Sequence, residues 1–349
     1  ELGDEKGLMC GKILGDLGAD VIKVERPGGD AARNIGPFYK DMPDSEKSLY
    51  WFAYNTNKRG ITLDIATADG AQIFKRLVKS ADIVIDSLPP GYMDNVGFGY
   101  RTLSRLNPAL VVTSISTFGQ TGPYAKHKTS EFIGWAMSGY LYISGDSDRA
   151  PTWVTFPHAA LHAGAEGAVA SLIALWHRIA TGEGQHADVS MQEAVLRVLM
   201  EAPYFWDMLK IDPKRAGYVL RSANVAFNIG WPCKDGYIQS HVLGGGSPGF
   251  VASAKAWVKW MAEEGVAPDW LKDFDWVYDF NASHLTPQKV DEVYRPFFDF
   301  FKTKTKAELY EGGLKRGAII APVSTAQDLL QNPQLQARNF WVKVEHPEL

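Results

Sequence analysis

The first third of the chain alternates between two periods, and this constrains the fold more than any single motif does. Leu8, Met9, Ile13, Leu14 and Leu17 fall at helical spacing, Gly18 stops that helix, and residues 19–25 read as a buried strand. The unit then repeats: residues 61–63 are short and extended, 69–78 form an amphipathic helix, 81–86 a strand, 100–106 a helix and 110–115 another strand. Strands separated by helices predict βαβ units and a parallel sheet. Ligands of such sheets sit at the carboxyl ends of the strands.

A long Ala/Gly-rich helix is expected over 159–179, where small side chains allow a neighbouring helix to come close. Thr181-Gly182-Glu183-Gly184 stops it, 186–190 reads as a strand and 191–200 as helix. Beyond residue 200 Trp, Phe, Tyr and Pro become denser and the βα rhythm ends. The expected fold class is therefore α/β, with a Rossmann-like large domain carrying the parallel sheet over 1–200 and a smaller α+β domain over 201–325. The cluster Trp257, Trp260, Trp270 and Trp276 reads as core of the small domain.

A chain of 349 residues exceeds what one core usually serves. Its formal net charge of −4 gives no global attraction to nucleic acid or to membrane, so an anionic ligand needs a local cluster of cations. Cys10 and Cys233 stand in no metal-ligand spacing and read as reduced thiols of a cytoplasmic protein. No apolar stretch is read as approaching the roughly 20 residues of a membrane span. The chain opens on Glu1-Leu2-Gly3, read as the end of a strand, and closes on Pro347-Glu348-Leu349, so residues are expected to be missing at both ends.

Five blocks in order resemble the family III CoA-transferases, the carnitine dehydratase / bile-acid-inducible type. Gly15-Asp16-Leu17-Gly18-Ala19-Asp20-Val21-Ile22-Lys23-Val24-Glu25 with Pro27-Gly28-Gly29-Asp30 is similar to the family's opening signature. Asn55-Thr56-Asn57-Lys58-Arg59-Gly60-Ile61-Thr62-Leu63-Asp64 is similar to its second block. Gly97-Phe98-Gly99-Tyr100, Leu106-Asn107-Pro108 and Ser114-Ile115-Ser116-Thr117-Phe118-Gly119-Gln120-Thr121-Gly122-Pro123-Tyr124 resemble the third. Thr181-Gly182-Glu183-Gly184-Gln185 with Val189-Ser190-Met191-Gln192-Glu193-Ala194 resembles the fourth, and Ala321-Pro322-Val323 with Asn332-Pro333-Gln334-Leu335-Gln336-Ala337-Arg338 the last. The resemblance implies a large and a small domain in each chain, two chains threaded as interlocked rings, and a segment beginning over residues 326–349 that returns to the large domain.

The resemblance also implies a nucleophilic Asp at the start of the long helix. That position falls on Ala160, in Phe156-Pro157-His158-Ala159-Ala160-Leu161-His162-Ala163-Gly164. An alanine cannot attack a thioester. Glu5, at a position where the family often has Gln, Glu166 further along the helix, and His158 are the remaining catalytic candidates. Asn95 stands where the family commonly has an Arg touching CoA. For a two-base racemase the His position reads Ser130, followed by Glu131, and the Asp position is again Ala160. Arg33, Lys58 and Arg59 lie at expected loop positions and are the candidates for the CoA phosphates, against a plain reading as solvated loop charges. Lys126 and Lys128 read as surface charges. His158 and His162 share a helical face but lack a third ligand, so no metal is expected. Gly244, Gly245 and Gly246 read either as a lid over substrate or as a mere turn.

The resemblance, taken with these departures, implies a transferase subunit that uses acyl-CoA as substrate, with succinyl-CoA the expected donor, and has no covalently bound cofactor. It would draw its aspartate from a paralogous partner in a heteromer, or else form an interlocked homodimer. An acyl-CoA racemase, epimerase or lyase of the same fold and a non-catalytic CoA-binding scaffold are the alternatives.

Overall fold

The structure, a computed structural model, describes residues 1–347 except 155, 200, 223 and 224. Two compact units are present, Glu1–Arg215 and Ala216–Leu349.

The first unit opens with α1 (Glu5–Asp16) and β1 (Val21–Glu25), followed by α2 (Leu49–Asn55) and β2 (Lys58–Thr62). Next come α3 (Ala68–Ser80), β3 (Ile83–Asp86), α4 (Tyr92–Asn95), α5 (Tyr100–Leu106) and β4 (Val111–Ser116). Then follow α6 (Glu131–Met137), α7 (Tyr140–Ile143), α8 (His158–Thr181), β5 (His186–Ser190), α9 (Met191–Leu196) and α10 (Glu201–Leu209). The helix expected over 191–200 thus ends early and passes into a 3₁₀ turn over Arg197–Leu199, while residue 200 lies outside the described residues.

All five strands pair in parallel: β1 with β2, β3 with β4 and β4 with β5. Leu2 joins the two groups through parallel bridges to Val24 and Asp86. Its N–H donates to Ile85 O at 2.8 Å and its carbonyl accepts from Ser87 N at 3.1 Å. The order across the sheet is therefore β2, β1, Leu2, β3, β4, β5, and connections run outward in both directions from Leu2. That is the doubly wound topology the alternating sequence predicts.

Side chains alternate between the two faces of the sheet. Ile85 and Ile115 join Cys10, Leu14 and the alanines of α8 on one face, whereas Val84 and Val112 join Phe74, Phe98 and Leu103 on the other. The α1–α8 contact depends on missing side chains: a Cβ on Gly164 would stand 2.7 Å from Met9 Cβ and 3.0 Å from Cys10 N. At the other end of α8, Gly182 adopts φ 81°, and its N–H donates to Arg178 O at 2.7 Å, closing the helix in the left-handed conformation.

The sequence reading of apolar stretches needs one correction. α8, at 24 residues and a mean hydropathy of 1.3, is long and apolar enough to cross a membrane. Its inner face is built into the core through Ala159, Ala160, Ala163, Gly164, Gly167, Ala168, Ser171 and Ala174. Its outer face leaves Ile173, Trp176 and Ile179 exposed.

The units divide between Arg215 and Ala216, later than the boundary expected at 200. Residues 201–215 stay with the first unit because Arg215 Nη1 donates to Tyr142 O at 2.8 Å and Tyr142 Oη donates to Asp212 Oδ2 at 3.2 Å. The second unit contains the hairpin β6 (Val219–Ser222) and β7 (Val225–Asn228). It also has a three-stranded antiparallel sheet of β8 (Gly230–Cys233), β9 (Gly236–Ser240) and β10 (Ile320–Pro322). Three longer helices, Pro248–Glu263, Pro287–Lys302 and Lys306–Arg316, pack around an aromatic core. Trp257, Trp260 and Trp276 are core as expected, whereas Trp270 is 41% exposed, on the one-turn helix Asp269–Lys272 that buries Leu271 instead. Residues 326–349 group with this second unit, and an ion pair between Lys306 and Asp328 fastens their start.

Candidate active site

α8 begins after Pro157, which offers no side-chain cap, so its first N–H groups need acceptors from elsewhere. Glu131 supplies them. Ser130 caps α6, accepting from Ile133 N at 3.3 Å, and so sets Glu131 in the first turn of that helix. From there Glu131 Oε1 accepts from Ala159 N at 2.6 Å and Oε2 from Ala160 N at 2.9 Å. Trp135 Nε1, one turn on, donates to Oε1 at 3.0 Å. The partial positive charge at the end of a long helix and three N–H donors all stabilise this anion. Ala160 itself is 1% exposed, its methyl part of the core beneath the site.

Tyr50, on α2, is 4% exposed, and among the described residues its hydroxyl has no hydrogen-bond partner. Burial pushes that hydroxyl's pKa up, and Tyr54, Glu5, Glu131 and Asp30 push it further in that order. Glu5 and Glu131 therefore act on the same buried oxygen, although α1 and α6 are distant in sequence. Burial first and Asp4 second raise the Glu5 carboxyl above its ordinary value.

Removing Glu131 is expected to leave two backbone donors and an indole N–H without their acceptor. Glu131→Ala should cost about 2 kcal/mol of stability in urea unfolding, and Glu131→Gln, which keeps one acceptor oxygen, clearly less.

A concavity lies at the carboxyl ends of the strands, where the direction of winding reverses. This cleft of about 430 Å³ is lined by Gly3, Asp4 and Glu5 after the Leu2 strand, Glu25 and Arg26 after β1, Leu63 and Asp64 after β2, and Leu88 and Pro89 after β3. Asp86 closes β3 nearby. Burial lifts its carboxyl to about 6, with Asp4 and Asp94 adding to the rise and the Leu88 N–H opposing it. Because the folded value exceeds the ordinary 3.8, protonation favours the fold. The contribution is complete in acid, fades as pH climbs from about 4 to about 6, and above that the charge is a constant cost. Asp86→Asn, which keeps an acceptor for Leu88 N, should raise stability by about 2 kcal/mol at pH 8 and change little at pH 4, as read from melting curves.

The structure distributes the other sequence candidates widely. Lys58 and Arg59 are not in a loop but in β2. Lys58 Nζ is buried, paired with Glu1 at 2.8 Å and donating to Leu8 O at 2.9 Å, so burial commits it to the core. Arg59 is exposed and pairs with Asp20. Arg33 grips Glu25 through Nε at 2.7 Å and Nη2 at 2.9 Å and stacks on Trp51 at 4.1 Å. Glu166 pairs with Arg197 in the half-exposed middle of α8. His158 rests between Trp135 and Phe156, at 6.1 and 6.2 Å, and His162 is exposed. Among the described residues no group of three His, Cys, Asp or Glu could hold a metal. Asn95 is exposed at the end of α4 and outside the cleft lining. In the second unit Gly245 N donates to Trp276 O at 2.8 Å, and a Cβ on Gly244 would stand 2.1 Å from that same oxygen, so both are tied to the unit's core. A Cβ on Gly246 would meet nothing within 4 Å among the described residues.

Glu131, Tyr50 and Arg26 escape the sequence reading as site residues. The signal available for Glu131 is its place after a capping serine, but only the fold brings it to Ala160.

The sequence profile of CoA-transferase family III matches residues 6–349. Succinyl-CoA:(R)-benzylsuccinate CoA-transferase subunit BbsE of Thauera aromatica is 37% identical, over 97% of this chain and 80% of that protein. Succinyl-CoA–D-citramalate CoA-transferase of Chloroflexus aurantiacus is 31% identical, over 98% and 81%. The crystal structure of a CAIB/BAIF family protein from Brucella suis superimposes with a TM-score of 0.82 at 29% identity, covering 98% of this chain and 86% of that one.

Proposed function

The chain belongs to CoA-transferase family III, and from that premise we propose that it is one subunit of a two-chain transferase whose nucleophilic carboxylate comes from a paralogous partner. The observation that carries this reading is the end of α8. Ala160 stands there without a carboxylate, and Glu131 has both oxygens engaged by N–H donors, so neither is free to attack.

In such a transferase a carboxylate attacks the acyl thioester, forming a mixed anhydride and releasing the CoA thiolate. The thiolate attacks the anhydride at the enzyme carbonyl, giving an enzyme thioester and freeing the first acid. The second acid then attacks the enzyme thioester, forming a second mixed anhydride and releasing the thiolate, which attacks the carbonyl of the second acid to form the new CoA ester and free the enzyme carboxylate. The cycle needs one unencumbered enzyme carboxylate. The relatives' names point to succinyl-CoA as donor, with a benzylsuccinate-like dicarboxylic acid as the first acceptor to test. The relative from Thauera aromatica is named as a subunit, which supports a heteromer. So do the exposed apolar side chains of α8 and α10, including Trp176, Trp206 and Met208, which a partner would cover. An interlocked arrangement in the cytoplasm belongs to the same proposal.

A racemase reading lacks its base pair, because Ser130 serves as a helix cap and Ala160 carries no proton-transfer group. One observation favours a second reading, in which Glu131 itself is the nucleophile: its carboxylate lies at the helix end where the reaction needs one. Co-expression with a paralogue that keeps the aspartate separates the two. Partner dependence requires activity only in the copurified complex, whereas activity of this chain alone, lost in Glu131→Gln, would establish the second reading.

A further inference from the structure

We infer that the cleft at the strand ends of this chain is closed to coenzyme A by charge, so that a two-chain enzyme containing it binds one CoA ester per pair of chains. The inference deepens the partner-dependent reading and rests on it. A chain that bound CoA yet turned over only with a partner would overturn the inference and leave that reading standing.

In a doubly wound sheet, phosphates settle at the N-terminus of the helix that follows the central strand. Here that helix is α1, entered directly from Leu2. Its N-terminus is already served by its own acids. Asp4 is the cap, accepting from Lys6 N at 3.2 Å, while its backbone N–H donates to Ser87 Oγ at 2.9 Å. Glu5 fills the first turn and lines the cleft. A phosphate arriving there meets two carboxyl groups where the topology would offer N–H donors.

The cations around the cleft are also committed. CoA brings about four negative charges on its phosphates, which need basic partners. Lys6 pairs with Asp4. Lys23 Nζ lies 2.7 Å from Asp30, with both side chains almost fully buried. Arg33 holds Glu25, and Lys58 holds Glu1. Drawing any of these to a phosphate would leave a carboxylate unpaired, a costly exchange where the pair is buried. Among the described residues Arg26 is the one lining cation without an ion pair, and Asp64, which accepts from Ala66 N at 3.0 Å, stands near it as a further acid. The raised Glu5 carboxyl agrees with an acid pressed into an already negative environment.

The test is equilibrium dialysis of the full chain against radiolabelled coenzyme A at neutral pH, beside Glu5→Gln and the double variant Glu5→Gln with Asp64→Asn. Circular dichroism confirms that each is folded, and the isosteric single variant serves if the double one is not. The inference expects no saturable site below millimolar CoA in the unaltered chain and about tenfold or greater tightening in the variants. It expects a complex with the partner to retain half as many CoA molecules as it has chains. Saturable micromolar binding by the unaltered chain overturns it. So does failure of the folded variants to tighten, because exclusion would then have a cause other than charge.

Discussion

Purified without a partner, the chain is expected to transfer CoA at least about 10³-fold more slowly than the copurified complex, in keeping with the loss of a nucleophile that acts as one member of a unit. The deficit should lie in kcat. Mixing in a partner whose own aspartate has been changed to Asn should restore nothing, because this chain then faces a second end of a helix without a free carboxylate. The expectation follows from the chemistry of the end of α8: Ala160 contributes a methyl to the core, and Glu131 spends its two oxygens on the Ala159 and Ala160 N–H groups and the Trp135 indole. Initial rates measured with succinyl-CoA and a dicarboxylic acceptor check it.

The largest expected stability effect lies at Gly164→Leu. A Cβ there would stand 2.7 Å from Met9 Cβ, 3.0 Å from Cys10 N and 3.3 Å from Lys6 O. Two of the three obstacles are backbone atoms of α1, so no rotamer change relieves them. The two helices must separate, and the core between them opens around Cys10, Leu14 and Ala163. Overpacking of this kind costs about 3 kcal/mol, which for a unit of this size lowers its melting temperature by about 10 °C. Gly164→Ala should lie between Leu and the unaltered chain, and Val169→Ala, on the exposed side of the same helix, should change little. Differential scanning calorimetry of the four proteins checks the series.

Why were these features unevenly legible in the sequence? Elements whose signal is local could be read directly. α8 follows from its Ala/Gly composition and the stop at Gly182, and the strands from short apolar runs between helices. The strand end at Glu1-Leu2-Gly3 is legible too, but its place between β1 and β3 is set by the bridges of Leu2 to Val24 and Asp86. Features set by tertiary contact were not legible. Lys58 reads as a loop cation because its neighbours, Asn57 and Gly60, suggest a turn, yet pairing with Val21 puts it in β2 and Glu1 neutralises it. Trp270 reads as core by composition, yet its one-turn helix buries Leu271 instead. Glu131 is the clearest case. Ser130 marks a helix start, but nothing in the sequence states that this start would be delivered to the N-terminus of a helix 28 residues on, between Glu131 and Ala159.

The central claim is that no acyl-enzyme forms on this chain, and trapping tests it most directly. The complex is mixed with succinyl-CoA, quenched with borohydride or hydroxylamine, digested and mapped by mass spectrometry. The account predicts that the modified carboxylate lies in the partner chain alone, with every peptide of this chain unaltered, including those carrying Glu5, Glu131 and Glu166. A modified carboxylate mapped to this chain, at Glu131 above all, would contradict it.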